Sequence, residues 1–488
     1  MRVLFAASEV APLSKTGGLA DVGQALPKAL TRLGHDVRVV TPAYRGLRKR
    51  VAGCRRVARL SLRGFSFAIW EGALEREGAP LWLVECDELF SRAGSLYTDA
   101  AGAEYPDNAL RFGVFSELVA QLARGQHVRS WRPDVVHLND WHTGLAAAWL
   151  HDAPSAPGTV FTIHNLAYQG NYAPSAVAAL GLQASWLTPA GLEFHGQASF
   201  LKAGLVYADA LTTVSPTYAA EIKTPEFGAG MDGVLRGRAA ALTGILNGID
   251  EDTWNPATDP HIARRYELAD VGNGKRVNRR ALRERLRLAD DERLLAIYIG
   301  RLAHQKGVDL FLEPEAALDR ADLQLALLGA GDRATERAFA EFAASRAGRV
   351  AVTIGHDEEL AHLMEAAGDV LLMPSRYEPC GLNQMYSQRY GTIPLVRRTG
   401  GLADTVVDAT PAAIADGTAT GIVFDHADAG GIAWALERAL ALRGDPAAWR
   451  SLQRNGMQRD FSWSRTAGQY LELYESLGRR GFESDCPL

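Results

Sequence analysis

Leu294-Leu-Ala-Ile-Tyr-Ile-Gly-Arg-Leu-Ala-His-Gln-Lys-Gly307 is the stretch of sequence that decides the fold. It begins with a continuous apolar run, which is typical of a parallel β-strand covered on both faces. The polar loop after this run carries Arg301 and Lys306. Because ligands bind beyond the carboxyl ends of the strands in open parallel sheets, we expect this loop to lie at a binding site.

The same alternation of short apolar runs and helix-length segments extends along the whole chain. It predicts an α/β protein with doubly wound parallel sheets. The buried strands predicted for the first half are Val3–Ala6, Val37–Val40, Leu81–Val84, Val135–Leu138, Thr159–Ile163 and Ala210–Val214. Those predicted for the second half are Leu294–Ile299, Leu323–Leu328, Val350–Ile354, Val370–Met373 and Ile393–Val396. Helices are predicted at Leu19–Leu33, Asn108–Leu122, Lys275–Leu288, Trp434–Leu442 and Trp463–Leu477.

Two such sheets are predicted, because a turn-rich stretch separates two series of strands. This stretch is Asn247–Pro256, and the second series begins at Leu294. We therefore expect an N-terminal Rossmann-like domain at 1–245 and a C-terminal Rossmann-like domain at 246–457. A helical tail at 458–488 is expected to pack back toward the first domain. Two sheets facing each other across a deep cleft would surround one ligand with loops from both.

The composition excludes several classes of protein. Among 488 residues, 57 are acidic and 52 basic, and no lysine-rich arm of the kind that binds nucleic acid stands out. The cluster Arg45–Arg59 is interpreted as a solvated surface. No apolar run is long enough to span a membrane. The four cysteines, which form no C-x-x-C pair, indicate a reducing compartment, and we expect a cytoplasmic protein; they are Cys54, Cys86, Cys380 and Cys486.

Lysine is rare in this chain, with seven lysines among the 52 basic residues. Each lysine is therefore a better candidate for a specific role than a lysine in an average protein. Lys15 lies in Ser14-Lys-Thr-Gly-Gly-Leu19, where paired glycines before a helix favour phosphate binding. Arg301 and Lys306 suit a diphosphate, since arginine binds oxygens bidentately and lysine adds a second charge. An ordinary glycine turn and a solvated loop are the respective alternatives.

Ser375-Arg-Tyr-Glu-Pro-Cys-Gly-Leu-Asn-Gln384 is the densest motif and follows a predicted strand. Pro379 and Gly381 are typical of a helix entry. Glu378 would then lie at the rim of the site, where its carboxylate can bind a sugar hydroxyl and stabilise developing positive charge. The alternative is a carboxylate that only caps the helix. Gly400-Gly-Leu-Ala-Asp404 provides a further glycine turn after the next predicted strand.

Two histidine segments also follow predicted strands, and we expect both to point into the same cleft. They are His137-Leu-Asn-Asp-Trp-His142 and Thr162-Ile-His-Asn165. The alternative is that these histidines are structural. Their spacing does not match H-E-x-x-H, so no metal site is predicted. The one D-x-D sequence, Asp250–Asp252, is better explained by helix capping or turn formation.

With these motifs in place, the chain closely resembles the bacterial glycogen synthase and plant starch synthase family, which are glucosyltransferases of the GT-B fold. The resemblance extends from near residue 1 to about residue 475 and keeps the family's order of motifs. The matching stretches are Lys15-Thr-Gly-Gly-Leu, Thr162-Ile-His-Asn-Leu-Ala-Tyr-Gln-Gly170, Leu246-Asn-Gly-Ile-Asp250, Gly300-Arg-Leu, Gln305-Lys-Gly, Ser375-Arg-Tyr-Glu-Pro-Cys-Gly-Leu, Arg389-Tyr-Gly-Thr-Ile-Pro-Leu-Val-Arg-Arg-Thr-Gly-Gly-Leu-Ala-Asp404 and Asp460-Phe-Ser-Trp463.

The resemblance implies transfer of glucose from ADP-glucose, with retention at the anomeric carbon, to the non-reducing 4-hydroxyl of an α-1,4-glucan such as glycogen. It implies no metal and no organic cofactor. Arg301 and Lys306 would bind the diphosphate. Glu378 would position the glucosyl ring, and His164 would lie against the sugar. Front-face substitution is the retaining mechanism that the resemblance implies.

The resemblance also implies a wider donor-binding set. Its remaining members are Lys15 and Gly18, which would close on the donor, Asp140 and Asn247, which would line the glucose site, and His356, Cys380, Gly381 and Leu382. Three positions depart from the family pattern. His356 replaces a tyrosine that packs near the adenine, Asn383 replaces a threonine near the phosphates, and Pro314 interrupts an expected helix.

Three other functions fit parts of this pattern. A related transferase could use UDP-glucose or build a different α-glucan. A phosphorylase would need a buried lysine for pyridoxal phosphate, and few lysines are available. A catalytically silent relative would bind glucan without turnover. The combination of Lys15, His164, Arg301, Lys306 and Glu378 favours the active transferase.

Overall fold

The computed structural model describes residues 1–74 and 78–483 of the chain. The chain divides into two compact units. The first comprises residues 1–247 together with the C-terminal segment from Trp463, and the second comprises residues 248–462. The segments predicted from sequence end at residues 245 and 457. In the structure, the first unit extends to residue 247 and the second extends to residue 462.

In the first unit, the described residues form a nine-stranded sheet and a small three-stranded sheet. The strands of the large sheet are β1 (Arg2–Ala6), β2 (Asp36–Pro42), β3 (Ala52–Leu62), β4 (Phe65–Ala73), β5 (Pro80–Glu85), β6 (Val135–Asn139), β7 (Gly158–Ile163), β11 (Ala210–Thr213) and β12 (Leu242–Gly244). Those of the small sheet are β8 (Asn171–Tyr172), β9 (Glu193–Phe194) and β10 (Gln197–Ser199). The large sheet has the order β12-β11-β7-β6-β1-β2-β5-β4-β3.

The helices of the first unit include the C-terminal helix, whose Tyr474 hydroxyl lies 2.7 Å from His137 Nδ1 in β6. They are α1 (Gly18–Arg32), α2 (Asp87–Phe90), α3 (Asn108–Ala123), α4 (Trp141–His151), α5 (Pro174–Val177), α6 (Phe200–Tyr207), α7 (Pro216–Glu221), α8 (Asp232–Gly237) and α17 (Trp463–Glu483).

The second unit is a parallel sheet with helices on both faces. Its strands are β13 (Leu294–Ile299), β14 (Leu323–Gly329), β15 (Val350–Ile354), β16 (Val370–Met373), β17 (Ile393–Arg397) and β18 (Ile422–Phe424), in the order β15-β14-β13-β16-β17-β18. Its helices are α9 (Val271–Leu286), α10 (Arg333–Ala344), α11 (Glu358–Ala367), α12 (Asn383–Arg389), α13 (Gly400–Thr405), α14 (Pro411–Ala415), α15 (Ala429–Arg443) and α16 (Pro446–Met457).

Burial on both faces explains the continuous apolar runs of this second sheet. Alternate residues of one strand belong to two different core clusters: Leu294 and Ala296 pack on one face, and Leu295 and Ile297 pack on the other. All four side chains are fully buried. The strands predicted from apolar runs are confirmed, and burial on both faces is the reason for all but the edge strand β15, which is only partly buried.

The antiparallel hairpin β3–β4 at the sheet edge was not predicted. Most of β3 is exposed or half-buried, and Arg55 on this strand forms an ion pair with Glu71 on β4. The arginine-rich segment therefore has an exposed surface, as expected, but it is also a strand. Charged side chains on an edge strand oppose pairing with another chain.

Pro314 interrupts the segment after Lys306, as predicted. Between β13 and β14 the chain forms three short 3₁₀ turns, at His304–Lys306, Val308–Leu312 and Pro314–Ala316, instead of an α-helix. Proline lacks the N–H that a continuing helix needs, and it forces Glu313 into an extended conformation.

In each unit, the chain adds strands first on one side of a central strand and then on its other side. The predicted motifs follow the strands that meet at this central position. In the first unit β1 lies between β2 and β6, and in the second β13 lies between β14 and β16. Loops at the carboxyl ends of such strands form ligand sites in open α/β sheets. The fold therefore gathers Glu9–Gly18 with Asp140 in the first unit, and Gly300–Lys306 with Glu378 in the second.

Within residues 1–74 and 78–483, no helix is both long and apolar enough to cross a membrane. Cys54, Cys86 and Cys380 are free thiols. Cys486 lies outside the described residues.

Candidate functional site

In the second unit, Glu378 and Lys306 form a close ion pair at the ends of β16 and β13. Lys306 Nζ donates to Glu378 Oε2 at 2.6 Å, and Ser375 Oγ donates to the same oxygen at 3.0 Å. The Glu378 side chain is 6% exposed and that of Lys306 is 20% exposed. The pair is thus held in place by the fold while the cation keeps access to solvent.

Close backbone packing fixes the loop that carries Glu378. Gly400 has a φ of +44°, and a Cβ there would lie 2.0 Å from the Glu378 carbonyl oxygen. Gly401 N donates to the same oxygen at 3.1 Å. Gly307, after Lys306, has a φ of +67° and a Cβ there would lie 2.2 Å from the Pro374 carbonyl oxygen. Glycine is required at both positions for steric reasons.

Arg301 extends from the same loop as Lys306 and is exposed. Its guanidinium donates to Gln305 Oε1 at 2.8 Å, which orients it along the loop. The Asn383 side-chain amide donates to the Ile299 carbonyl at the end of β13. That contact ties the start of α12 to the Arg301 loop.

Cys380, Gly381 and Leu382 connect Glu378 to α12. Cys380 is buried, and Gly381 has a φ of +71°. The helix begins at Asn383, and its N-cap residue Leu382 makes no side-chain capping bond. The capping alternative for Glu378 is therefore wrong, because its carboxylate contacts Lys306 and Ser375 instead of the helix end.

His356 lies after β15 with 81% of its side chain exposed, and Nε2 is 3.5 Å from Glu358 Oε2. The backbone before it is unusual, since Gly355 has a φ of +126°. Asp357 accepts a hydrogen bond from Leu360 N and so begins α11. His356 is thus exposed to solvent in the turn between β15 and α11, where it can contact a ligand without rearrangement of the buried core.

In the first unit, Asn139, Asp140 and His164 form one hydrogen-bonded group at the ends of β6 and β7. Asp140 Oδ1 accepts from His164 N at 2.8 Å, and His164 Nε2 lies 2.9 Å from Asn139 Oδ1. The Asn139 amide nitrogen donates to the Ala6 carbonyl, so its oxygen is the acceptor for the histidine. The ring orientation of His164 is therefore set by Asn139.

Burial controls the charge of this group. It lowers the pKa of His164 to about 3, so the imidazole is neutral near pH 7. It raises the pKa of Asp140 to about 7, although hydrogen bonds from the backbone of His164 and Asn165 oppose this shift. Asp140 also has a φ of +54°, which is uncommon for a non-glycine residue and frequent at functional sites.

The Lys15 loop, residues 10–17, precedes α1, which begins at Gly18. Lys15 Nζ lies 2.7 Å from Asp21 Oδ1, and both side chains are partly exposed. A Cβ at Gly17 or Gly18 would meet no atom within 4 Å, so this backbone is open to an approaching ligand. Beneath the loop, the buried Glu9 carboxylate accepts hydrogen bonds from Thr16 and Gly17.

The other two histidines do not join His164, and the residues of the first segment that contact it are Asn139 and Asp140. His137 is fully buried within β6, where its ring nitrogens contact Tyr474 and Thr162. The His142 ring stacks on Trp141 with a centroid separation of 3.9 Å, and its buried nitrogens have no hydrogen-bond partner among the described residues. Burial lowers the pKa of both rings.

Asn247 is the last residue of the first unit before residue 248. It is 5% exposed, and its buried Oδ1 has no hydrogen-bond partner in the described part of the chain. The neighbouring Asp250 accepts hydrogen bonds from Asp252 N and Thr253 Oγ1, so the predicted turn is confirmed. Among the described residues, no group of three or more histidine, cysteine, aspartate or glutamate side chains is arranged to hold a metal ion.

Two family models match the chain, one in each unit. The starch synthase catalytic domain matches residues 2–237, and glycosyl transferases group 1 matches residues 278–456. Glycogen synthase 1 of Methylococcus capsulatus is 49% identical, over 100% of this chain and 99% of the relative. Glycogen synthase of Thioalkalivibrio sulfidiphilus is 50% identical, over 98% of this chain and 100% of the relative.

The chain belongs to the glycogen synthase and starch synthase family of glycosyltransferases. A solved structure supports the same assignment. The catalytic domain of starch synthase IV from Arabidopsis thaliana, bound to ADP and acarbose, is 34% identical, has a TM-score of 0.87 and is matched over 98% of this chain and 99% of that chain. The fold of this glycosyltransferase is GT-B, with an α/β sheet of mainly parallel strands in each of two domains.

Sequence reasoning missed the residues that hold the site's loops and side chains in place by hydrogen bonds. Glu9 lies in none of the motifs identified from the sequence, and Asn139 and Ser375 are quoted only as parts of motifs. Tyr97, which donates to Glu9 at 2.6 Å, lies in no recognised motif. The available signal was a single carboxylate directly after a buried strand and shortly before paired glycines.

Proposed function

We propose that this glycosyltransferase elongates glycogen by transferring glucose from ADP-glucose to the non-reducing 4-hydroxyl of an α-1,4-glucan, with retention at the anomeric carbon. The names of its relatives support the product, and the starch synthase structure with ADP and acarbose supports the nucleotide and the glucan. The observation that carries the proposal is the Lys306–Glu378 pair beside Arg301.

In the second unit, the two cations supply what a departing diphosphate needs. Arg301 can bind phosphate oxygens bidentately, and Lys306 adds a compact charge. Stabilising charge that develops on the leaving group is commonly the largest catalytic contribution. Glu378 binds sugar hydroxyls and stabilises positive charge on the glucosyl ring, while Ser375 and Lys306 hold its carboxylate. Cys380, Gly381 and Leu382 supply backbone beside it.

In the first unit, we assign five groups to the donor. Lys15 and the open backbone at Gly18 contact the donor. His164 binds the sugar as a neutral hydrogen-bonding group, because a pKa of about 3 rules out an imidazolium acid near pH 7. Asp140 and the buried amide of Asn247 line the glucose site. Retention is assigned to front-face substitution, in which the acceptor hydroxyl attacks from the face that the diphosphate leaves.

A UDP-glucose-dependent transferase is the second candidate, and His356 is the observation that favours it. The residue is largely exposed and stands where the family's tyrosine packs near the adenine. An imidazole offers a smaller stacking surface than a phenol ring, so preference for adenine over uracil is weakened at this position.

A donor comparison tests the proposal. The purified full chain is incubated with a glycogen primer and either ADP-glucose or UDP-glucose, and nucleotide release and glucan elongation are measured together. We expect primer-dependent turnover that is much faster with ADP-glucose. Faster turnover with UDP-glucose would overturn the donor but keep the transferase. Glucan binding without turnover from either donor would favour the silent relative.

A further inference from the structure

Glu9 occupies an unusual position for a carboxylate. It follows β1 and is only 3% exposed. Oε2 accepts hydrogen bonds from Thr16 N at 2.6 Å and Gly17 N at 3.3 Å, and Oε1 accepts from Thr16 Oγ1 and from the Tyr97 hydroxyl at 2.6 Å. Three of these four donors belong to the Lys15 loop. A buried carboxylate satisfied by several donors is a strong local constraint on the backbone that supplies them.

Other contacts hold the first part of the same loop. Val10 N donates to Ser14 Oγ at 3.1 Å, and Arg50 donates to the carbonyl oxygens of Pro12 and Leu13. Neither contact reaches Thr16 or Gly17. Glu9 therefore provides the side-chain anchor for the segment that joins Lys15 to the start of α1.

Helix α1 is packed against the same residue. A Cβ at Gly23 would lie 2.5 Å from the Glu9 carbonyl oxygen, so the helix backbone approaches Glu9 closely. The carboxylate contacts the residues just before the helix, and the main chain contacts its second turn. Glu9 thus fixes both the loop and the direction in which the helix leaves it.

Tyr97 links Glu9 to the start of α4, which follows Asp140. Its ring stacks on His142 with a centroid separation of 4.8 Å and an interplanar angle of 28°, and its hydroxyl also contacts Ser8 at 2.9 Å. His142 lies two residues after Asp140 in the sequence. Burial and the nearby Glu9 charge raise the pKa of Tyr97 well above its usual value, so its hydroxyl stays protonated and can donate.

We propose that Glu9 is a positioning residue for the donor. Its carboxylate holds Thr16 and Gly17 so that Lys15 and Gly18 are presented to the sugar nucleotide. Through Tyr97, it also keeps the Lys15 loop aligned with Asp140 at the start of α4. The inference rests on the proposed function, because it assigns Lys15 and Gly18 to the donor. It adds a residue that touches neither substrate.

The first test is Glu9→Gln, which keeps the shape but places an amide donor against the loop donors. We expect kcat/KM for ADP-glucose to fall by about tenfold to hundredfold, as for other small misplacements of a binding group. The KM for the glucan primer should change little. Asp209→Asn is the matched control, since Asp209 also accepts the backbone N–H and the hydroxyl of one threonine, Thr159, but at the start of β7. This control should keep wild-type kinetics.

The second test does not depend on activity. Lys15 is partly exposed at the loop, and endoproteinase Lys-C can cleave the Lys15–Thr16 bond when the loop opens. We expect Glu9→Gln to raise the cleavage rate after Lys15 by about fivefold or more relative to cleavage after Lys223. Asp209→Asn should leave this ratio unchanged.

A double variant separates positioning from general destabilisation. Thr16→Val removes one of the Glu9 partners, so its effect on kcat/KM and that of Glu9→Gln should be strongly non-additive. Wild-type cleavage and wild-type donor kinetics in Glu9→Gln would overturn the inference. If the wild-type chain does not use ADP-glucose at all, the proposed function fails, while the cleavage ratio still reports whether Glu9 orders the loop.

Discussion

Lys306 Nζ lies 2.6 Å from Glu378 Oε2, although the two residues are 72 positions apart in the chain. The parallel pairing of β13 with β16 brings their loops together, and Ser375 holds the carboxylate from the other side. In the proposed function, this fixes in one orientation a cation for the diphosphate and an acceptor for the sugar. Such preorganisation lowers the cost of stabilising charge in a transition state.

Removal of either partner should abolish most of the activity. We expect Glu378→Gln and Lys306→Met each to lower kcat by about 10²- to 10³-fold, because each removes a group aimed at developing charge. Lys306→Met also leaves a largely buried carboxylate without its cation, so a modest fall in melting temperature is expected. Steady-state kinetics and thermal melts measure both effects, with Lys223→Met as a control. Unchanged turnover in folded Glu378→Gln and Lys306→Met would contradict the site assignment.

Asp140 should give the enzyme a pH dependence near neutrality. Its pKa is raised to about 7 by burial, so the ionised fraction that accepts the His164 and Asn165 backbone donors falls as the pH drops below 7. We expect kcat/KM to decline on this acidic side. In Asp140→Asn the activity should be lower and this decline should disappear. An acidic limb near pH 7 that persists in Asp140→Asn would assign the titration to another group.

His137 should make folding stability depend on pH without taking part in catalysis. Its pKa is lowered to about 3 in the folded state by burial, whereas an unfolded histidine titrates near 6.5. Only the unfolded chain takes up this proton between pH 6.5 and 3, so stability is lost as the pH falls, by up to about 1.4 kcal/mol per pH unit.

Urea unfolding between pH 7 and 5 measures this contribution. The free energy of unfolding of His137→Gln should fall less steeply with decreasing pH than that of the wild type. The exposed His195→Gln should keep the wild-type slope. Identical slopes in all three proteins would show that His137 is not held neutral by the fold.

Gly400 should be intolerant of any side chain. Its φ of +44° strains other residues, and a Cβ would collide with the Glu378 carbonyl oxygen at 2.0 Å. Gly417 has a φ of +68° and no atom within 4 Å of a Cβ, so Gly417→Ala isolates the backbone strain of about 1 kcal/mol. We expect Gly400→Ala to lose much more stability and most activity. Equal effects of the two substitutions in melting and kinetic assays would argue against the close packing.

The buried strands could be predicted because both faces of each parallel sheet are covered, which leaves an apolar run in the sequence. The β3–β4 hairpin could not, since its arginines lie on a partly exposed edge and resemble a solvated loop. His137 and His164 illustrate a second limit. Both are in or after predicted strands, but only the tertiary partners Tyr474 and Asn139 decide which one is structural.

The sequence singles out Lys15, Arg301, Lys306 and Glu378 as candidates, through rare lysines and glycine turns after strands. The contacts that hold these groups could not be predicted, because they join distant positions. Glu9 is the clearest case. A lone carboxylate after a strand predicts little, and only the folded chain shows that it binds Thr16 and Gly17.

The most direct test of the account is chain-length analysis of end-labelled maltoheptaose after incubation with ADP-glucose. The account predicts a ladder of products that grow by single glucose units, with one ADP released per unit, and no ladder with Glu378→Gln. An unchanged maltoheptaose despite ADP release would indicate hydrolysis of the donor. Shortening of the chain in the presence of phosphate would indicate a phosphorylase. Either result would contradict the central claim.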